Sequence, residues 1–120
     1  MVFIPTRTLE TVERVGKDRS VNTVVVDIVT SICVGVSQIR RFQEPYIYSS
    51  KESMMGMTWA NKKEMVNVEV FDDGVIEVLH KNMENNKKRI SMTRVSEDSI
   101  KFVQNWMLER IAENIENFSS

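Results

Sequence analysis

A chain of 120 residues with a formal net charge of −1 has room for one modest core. It lacks the charge excess that marks a polycation or an acidic tail. A single cysteine, Cys33, excludes an internal disulfide framework and suits a reducing compartment, and a single histidine, His80, leaves little material for a histidine-based centre. The expectation is one domain over 1–120, with residues 1–20 as a loosely packed arm or a short helix.

The first twenty residues open on Met1-Val2-Phe3-Ile4-Pro5, which reads as an edge strand or an arm. Thr6 or Thr8 is placed to cap a short helix that carries Leu9, Val12 and Val15 and stops at Gly16. From Val21 to Phe42, the positions Val21, Val25, Ile28, Ile32, Ile39 and Phe42 recur at helical spacing. Val24, Val29, Cys33 and Val36 broaden the stripe. Asp18 or Ser20 is the expected cap, and Arg40 and Arg41 complement the negative helix end. The β-branched content of Thr23–Val29 keeps a strand there as the alternative. Val24–Val36 is too short to span a bilayer and contains Asp27. As a signal core it would follow an unusually long leader holding Glu10, Glu13 and Asp18. The expected protein is soluble and cytoplasmic, with no membrane partner.

Gln43-Glu44-Pro45 breaks the helix, and Tyr46-Ile47-Tyr48 reads as a short extended link. Ser53–Trp59 alternates Met55, Met57 and Trp59 against Met54, Gly56 and Thr58, the pattern of a strand, with Gly56 marking a bulge or a close approach. Asn61-Lys62-Lys63 is the turn into Met65–Lys81, where two alternating apolar runs flank Asp72-Asp73-Gly74. A two-residue loop there would set Phe71 against Ile76 and Glu69 against Val78. A three-residue loop sets Val70 against Ile76 and Val68 against Val78. The second register gathers Val66, Val68, Val70, Ile76 and Val78 on one face, so burial selects it. It also suits a type I turn with Gly74 in the left-handed region. The opposite face then carries Asn67, Glu69, Phe71, Val75, Glu77 and Leu79, with the two glutamates roughly opposed. That opposition is mildly unfavourable unless solvent or a cation screens it.

Beyond the polar loop Asn82–Lys88, Arg89–Val95 reads as a fourth strand. Ser96 then caps a final helix with the stripe Ile100, Val103, Met107, Ile111, Ile115 and Phe118. The expected fold class is α+β, a two-layer sandwich in the order helix, four-stranded antiparallel meander, helix. Both helices are expected on the Val66–Val68–Val70–Ile76–Val78 face.

No catalytic, cofactor-binding or metal-ligating set emerges. Cys33 and His80 have no spacing that requires a pair, and no phosphate loop or dinucleotide fingerprint is present. The reading is a non-enzymatic protein-binding module without cofactors, forming a homodimer or meeting another protein. Its interface is placed at Phe71, Val75 and Leu79, with Trp59 as an anchor and a Met-bearing strand beside it. The compact, Met-rich and Asn/Lys-rich chain has the general style of small accessory proteins encoded by phages or mobile elements. That makes a regulator or inhibitor the specific version, with an assembly or secretion chaperone as the alternative in the same class. A nucleic-acid-binding regulator using Lys62, Lys63, Lys87, Lys88 and Arg89 is the alternative outside it.

Overall fold

The computed structural model describes residues 3–38, 44–50, 54–60, 62 and 64–84, together with the backbone of 88–94. The final-helix expectation over Ser96–Phe118 and the basic pair Arg40 and Arg41 lie outside these residues. Two helices, α1 (Thr6–Asp18) and α2 (Thr23–Ser37), precede five strands: β1 (Tyr46–Tyr48), β2 (Met54–Ala60), β3 (Glu64–Phe71), β4 (Val75–Asn82) and β5 (Lys88–Arg94). The strands form one antiparallel meander in the order β1-β2-β3-β4-β5. The fold is therefore α+β, a helical layer followed by a strand meander. The sheet has one strand more than expected, because Tyr46–Tyr48 is an edge strand paired with Thr58, Met57 and Gly56 rather than a link.

The N-terminal stretch is a docked helix. Val12 is fully buried and Leu9 and Val15 pack against the core, as their spacing predicts. The cap differs from expectation: Pro5 occupies the N-cap without a side-chain hydrogen bond, and Thr8 lies buried inside the helix. Pro at the helix entrance donates no N–H, so little is lost there. Gly16 does not stop α1, which continues to Asp18. Its bare Cα instead admits α2, since a Cβ at Gly16 would come within 2.9 Å of Val26 Cγ2. The helix ends two residues later, where Ser20 takes a left-handed φ of 53°. The Val21 N–H reaches back to the Gly16 carbonyl at 2.9 Å and the Ser20 N–H to Lys17 at 3.2 Å, the paired bonds of a Schellman end.

The segment Thr23–Val29 is helical. Asn22, rather than Asp18 or Ser20, caps α2 by accepting from the Val24 N–H at 2.9 Å. Val25, Ile28, Val29, Ile32, Cys33 and Val36 are buried along one side, while Val24 turns outward. The β-branched residues keep their helix because so many of them face the sheet at helical spacing, and tertiary burial outweighs their weak propensity. At the far end of α2, the Gln38 side chain clasps the Phe3 backbone. It donates to the Phe3 carbonyl at 2.8 Å and accepts from the Phe3 N–H at 3.1 Å.

In the sheet, the hairpin adopts the three-residue loop and the register that burial selects: Val70 opposite Ile76, Val68 opposite Val78, Glu69 opposite Glu77. Gly74 has a φ of 89°, its N–H donates to the Phe71 carbonyl, and the Asp73 carboxylate accepts from the Val75 N–H. On the inner face, under the helices, lie Ile47, Met55, Met57, Trp59, Val66, Val68, Val70, Ile76 and Val78, all buried. Contiguous burial of such side chains is the main stabilising term of a domain this size.

The outer sheet face as a candidate interface

Alternation sends the other half of each strand to the opposite face, and the register assembles those residues into rows. Tyr48, Gly56, Glu69 and Glu77 form one row; Tyr46, Thr58, Asn67 and Leu79 form the next. Four of the polar members, Tyr48, Glu69, Asn67 and Thr58, are hydrogen-bonded to one another. The Tyr48 hydroxyl donates to Glu69 Oε2 at 3.0 Å and accepts from Asn67 Nδ2 at 2.8 Å, and Asn67 also donates to Thr58 Oγ1 at 2.8 Å. Gly56 makes this possible. The Tyr48 ring lies directly against its Cα, where an alanine methyl would collide with the ring, so Gly56 marks a close approach rather than a bulge. Burial pushes the Tyr48 phenol up to about 12. Its hydrogen bond to Glu69 acts in the same direction, while the donated bond from Asn67 acts against it. Tyr46 stacks on Tyr48 with ring centroids 5.9 Å apart and is 71% exposed.

The apolar members flank this polar row. Phe71 and Val75 close the hairpin end, and Leu79 lies on the other side of Glu77; all three are half-buried. Ile90 and Met92 of β5 stand in register with Leu79 and Glu77. The structure thus brings Phe71, Val75 and Leu79 to one face, as their spacing predicts. Trp59 does not join them. It pairs with Val66 on the inner face, is 3% exposed, and its Nε1–H has no hydrogen-bond partner among the described residues. Its parity along β2 is that of Met55 and Met57, which are equally buried, so the Met-bearing strand feeds the core. Met54 has the outer parity, yet it too is buried; residues 49 and 50 close over it, with Ser49 Oγ bonding its carbonyl and Ser50 its sulfur.

The described basic residues do not share one loop. Lys62 is exposed in the β2–β3 turn, while Lys63 and Lys87 lie outside the described residues. Strand β5 begins at Lys88, one residue earlier than expected. Lys88 and Arg89 therefore stand in register with Lys81 and His80. They are strand positions rather than a shared loop. The turns that join β2 to β3 and β4 to β5 do fall at the same end of the sheet, near Glu64 and Asn82.

Cys33 and His80 do not meet. The Cys33 thiol contacts Met57 Sδ at 3.5 Å inside the core, and burial pushes it up to about 12, far from a reactive thiolate. His80 Nε2 meets Glu64 Oε1 at 3.1 Å on the inner face. Among the described residues no group of three or more His, Cys, Asp or Glu is placed to hold a metal, and no helix is long and apolar enough to cross a membrane.

Sequence reasoning missed Tyr46, Tyr48, Asn67 and Thr58. A three-residue strand behind a proline shows no alternation to read. The signal that could have found it is Gly56, a gap in an otherwise bulky strand that invites an aromatic side chain from a neighbour. Compared with known proteins, the chain matches no family model, no curated protein and no solved structure.

Proposed function

We propose that this chain is a non-enzymatic protein-binding module, a small regulator or inhibitor that acts through the outer face of its sheet. One observation carries the reading: both described helices pack on the inner face, while Phe71, Val75 and Leu79 remain half-exposed on the outer one beside the largely exposed Tyr46. Apolar side chains gathered around an ordered polar row give the mixed composition of a recognition surface. The test is the double variant Phe71→Ser, Leu79→Ser. It keeps the circular dichroism spectrum of the wild type and loses the partner recovered by affinity capture from the source cell. Retention of that partner in full places the contact elsewhere.

A second reading has its own observation. Lys62 and Lys81 lie at the sheet end where the register also sets Lys88 and Arg89. Nucleic-acid binding there would fall steeply with salt, because each neutralised phosphate releases counterions. Capture that collapses on nuclease treatment, and that weakens in Lys62→Gln, Lys88→Gln, favours this reading over the first.

A further inference from the structure

The centre of the outer face holds two carboxylates set directly against each other. Glu69 and Glu77 are register partners on neighbouring strands, and both keep partial exposure. The Glu69 carboxylate accepts from Tyr48, whereas that of Glu77 makes no hydrogen bond or ion pair among the described residues. Like charges directly opposed across an antiparallel pair weaken it, so the hairpin carries a feature that lowers its own stability. By register Met92 stands opposite Glu77, Arg94 stands opposite Val75, diagonal to Glu77, and Lys81 stands opposite Met65.

Resting on the reading of this face as a protein interface, we propose that it docks an arginine-bearing segment of a partner protein. The guanidinium sits between Glu69 and Glu77, and the neighbouring apolar side chains of the partner lie on Phe71, Val75 and Leu79. Directly opposed side chains on paired strands start roughly 5 Å apart at Cβ, a separation the planar five-donor fork of arginine can bridge and a single ammonium serves less well. The Tyr48 hydroxyl, which donates to Glu69 Oε2, holds that carboxylate in place in the same row. The charge also argues against two other occupants. A second copy packed on this face about a central two-fold axis would press Glu69 and Glu77 against their own equivalents, and a phosphate backbone would meet the same two negative charges.

The experiment is selection from a displayed library of random linear peptides against the wild-type chain, followed by titration of the synthesised consensus. The expected consensus pairs arginine with apolar residues. It binds Glu77→Gln about tenfold more weakly, as loss of a charge-assisted contact implies. Replacing its arginine by citrulline gives a similar loss in the wild type and little further loss in Glu77→Gln. Free Glu77→Gln melts at or above the wild-type temperature, so weakened binding cannot be ascribed to unfolding. Glu69→Gln, which keeps an acceptor for Tyr48, is the second variant. A consensus without arginine that still requires Phe71 and Leu79 overturns the arginine and leaves the interface standing. Peptides indifferent to Phe71 and Leu79 overturn the interface itself. A wild-type dimer that Leu79→Ser dissociates identifies a second copy as the occupant and overturns the proposal.

Discussion

The two faces of one sheet are built from the same strands by the same alternation, yet they are different materials. Along β3, Val66, Val68 and Val70 are buried to 1% exposure or less, whereas Asn67, Glu69 and Phe71, their sequence neighbours, keep partial exposure. The inner row needs only volume and hydrophobicity, so valine, methionine and isoleucine suffice. The outer row holds a tyrosine flattened on a glycine, an asparagine that donates to two hydroxyls, and two opposed glutamates. That arrangement is more specific than solubility requires and less stable than it could be. A face that gives up stability at its centre while keeping apolar side chains at its margin is what the proposed role in partner binding would require.

The sharpest way to break this comparison is to place the same charge on either side of one peptide bond. Val70→Asp puts a carboxylate, with no partner, against Met55 and Ile76 in the core. It is expected to cost more than about 4 kcal/mol, a large share of the stability of a domain of this size. Phe71→Asp, one residue on, is expected to cost about 1 kcal/mol and to leave the chain folded. Urea denaturation followed by circular dichroism reads both. Equal costs would mean that the outer face is covered as completely as the inner one.

A smaller perturbation tests whether the outer polar row is held as a unit. Gly56→Ala introduces one methyl where the Tyr48 ring lies, and the ring is the part able to move. Its displacement breaks the bonds to Glu69 and Asn67 together. The expected loss is about 1–2 kcal/mol, that of two partly exposed hydrogen bonds and a displaced aromatic contact. Tyr48→Phe combined with Gly56→Ala should then cost little more than Gly56→Ala alone. Additive losses would show that Gly56 acts through backbone freedom rather than through the tyrosine.

Much of the inner face was legible in the sequence, because burial enforces period and register. The loop at Asp72-Asp73-Gly74, the five hairpin positions that face the core and the helical stripe of α2 all follow from apolar spacing alone. The outer face was legible only where it is apolar: Phe71, Val75 and Leu79 share a side by parity. Trp59 was misplaced because its parity on β2 gains meaning only through pairing with β3, and a strand read alone does not say which of its faces is inward. Tyr48, Asn67 and Thr58 were missed for a related reason. Their hydrogen bonds join residues nine to twenty-one positions apart, and no local pattern records which polar residues will be neighbours. Local signals also misassigned the helix caps. Thr6, Thr8, Asp18 and Ser20 are all good capping types, but the chain reversal between the helices is set by Gly16 against Val26, and that contact leaves Asn22 at the start of α2.

The smallest expected effect concerns the Tyr48 proton. Burial raises this phenol from its ordinary value near 10 to about 12, and the folded state therefore favours the neutral form. A group raised on folding contributes stability that is fully present below its unfolded value and is lost as pH rises through its folded value. The Tyr48 contribution is thus intact at neutral pH and fades between about pH 10 and 12. Tyr48→Phe removes it. The variant should be less stable than the wild type by about 1 kcal/mol at pH 7, where the bonds to Glu69 and Asn67 are lost. The two curves should converge as pH climbs through that window. All other ionisable groups are common to both chains and cancel in the difference. Urea midpoints at paired pH values measure it directly. Parallel curves from pH 9 to 12 would mean that the tyrosine is solvated in the folded chain, and the ordered row at the centre of the outer face would lose its keystone.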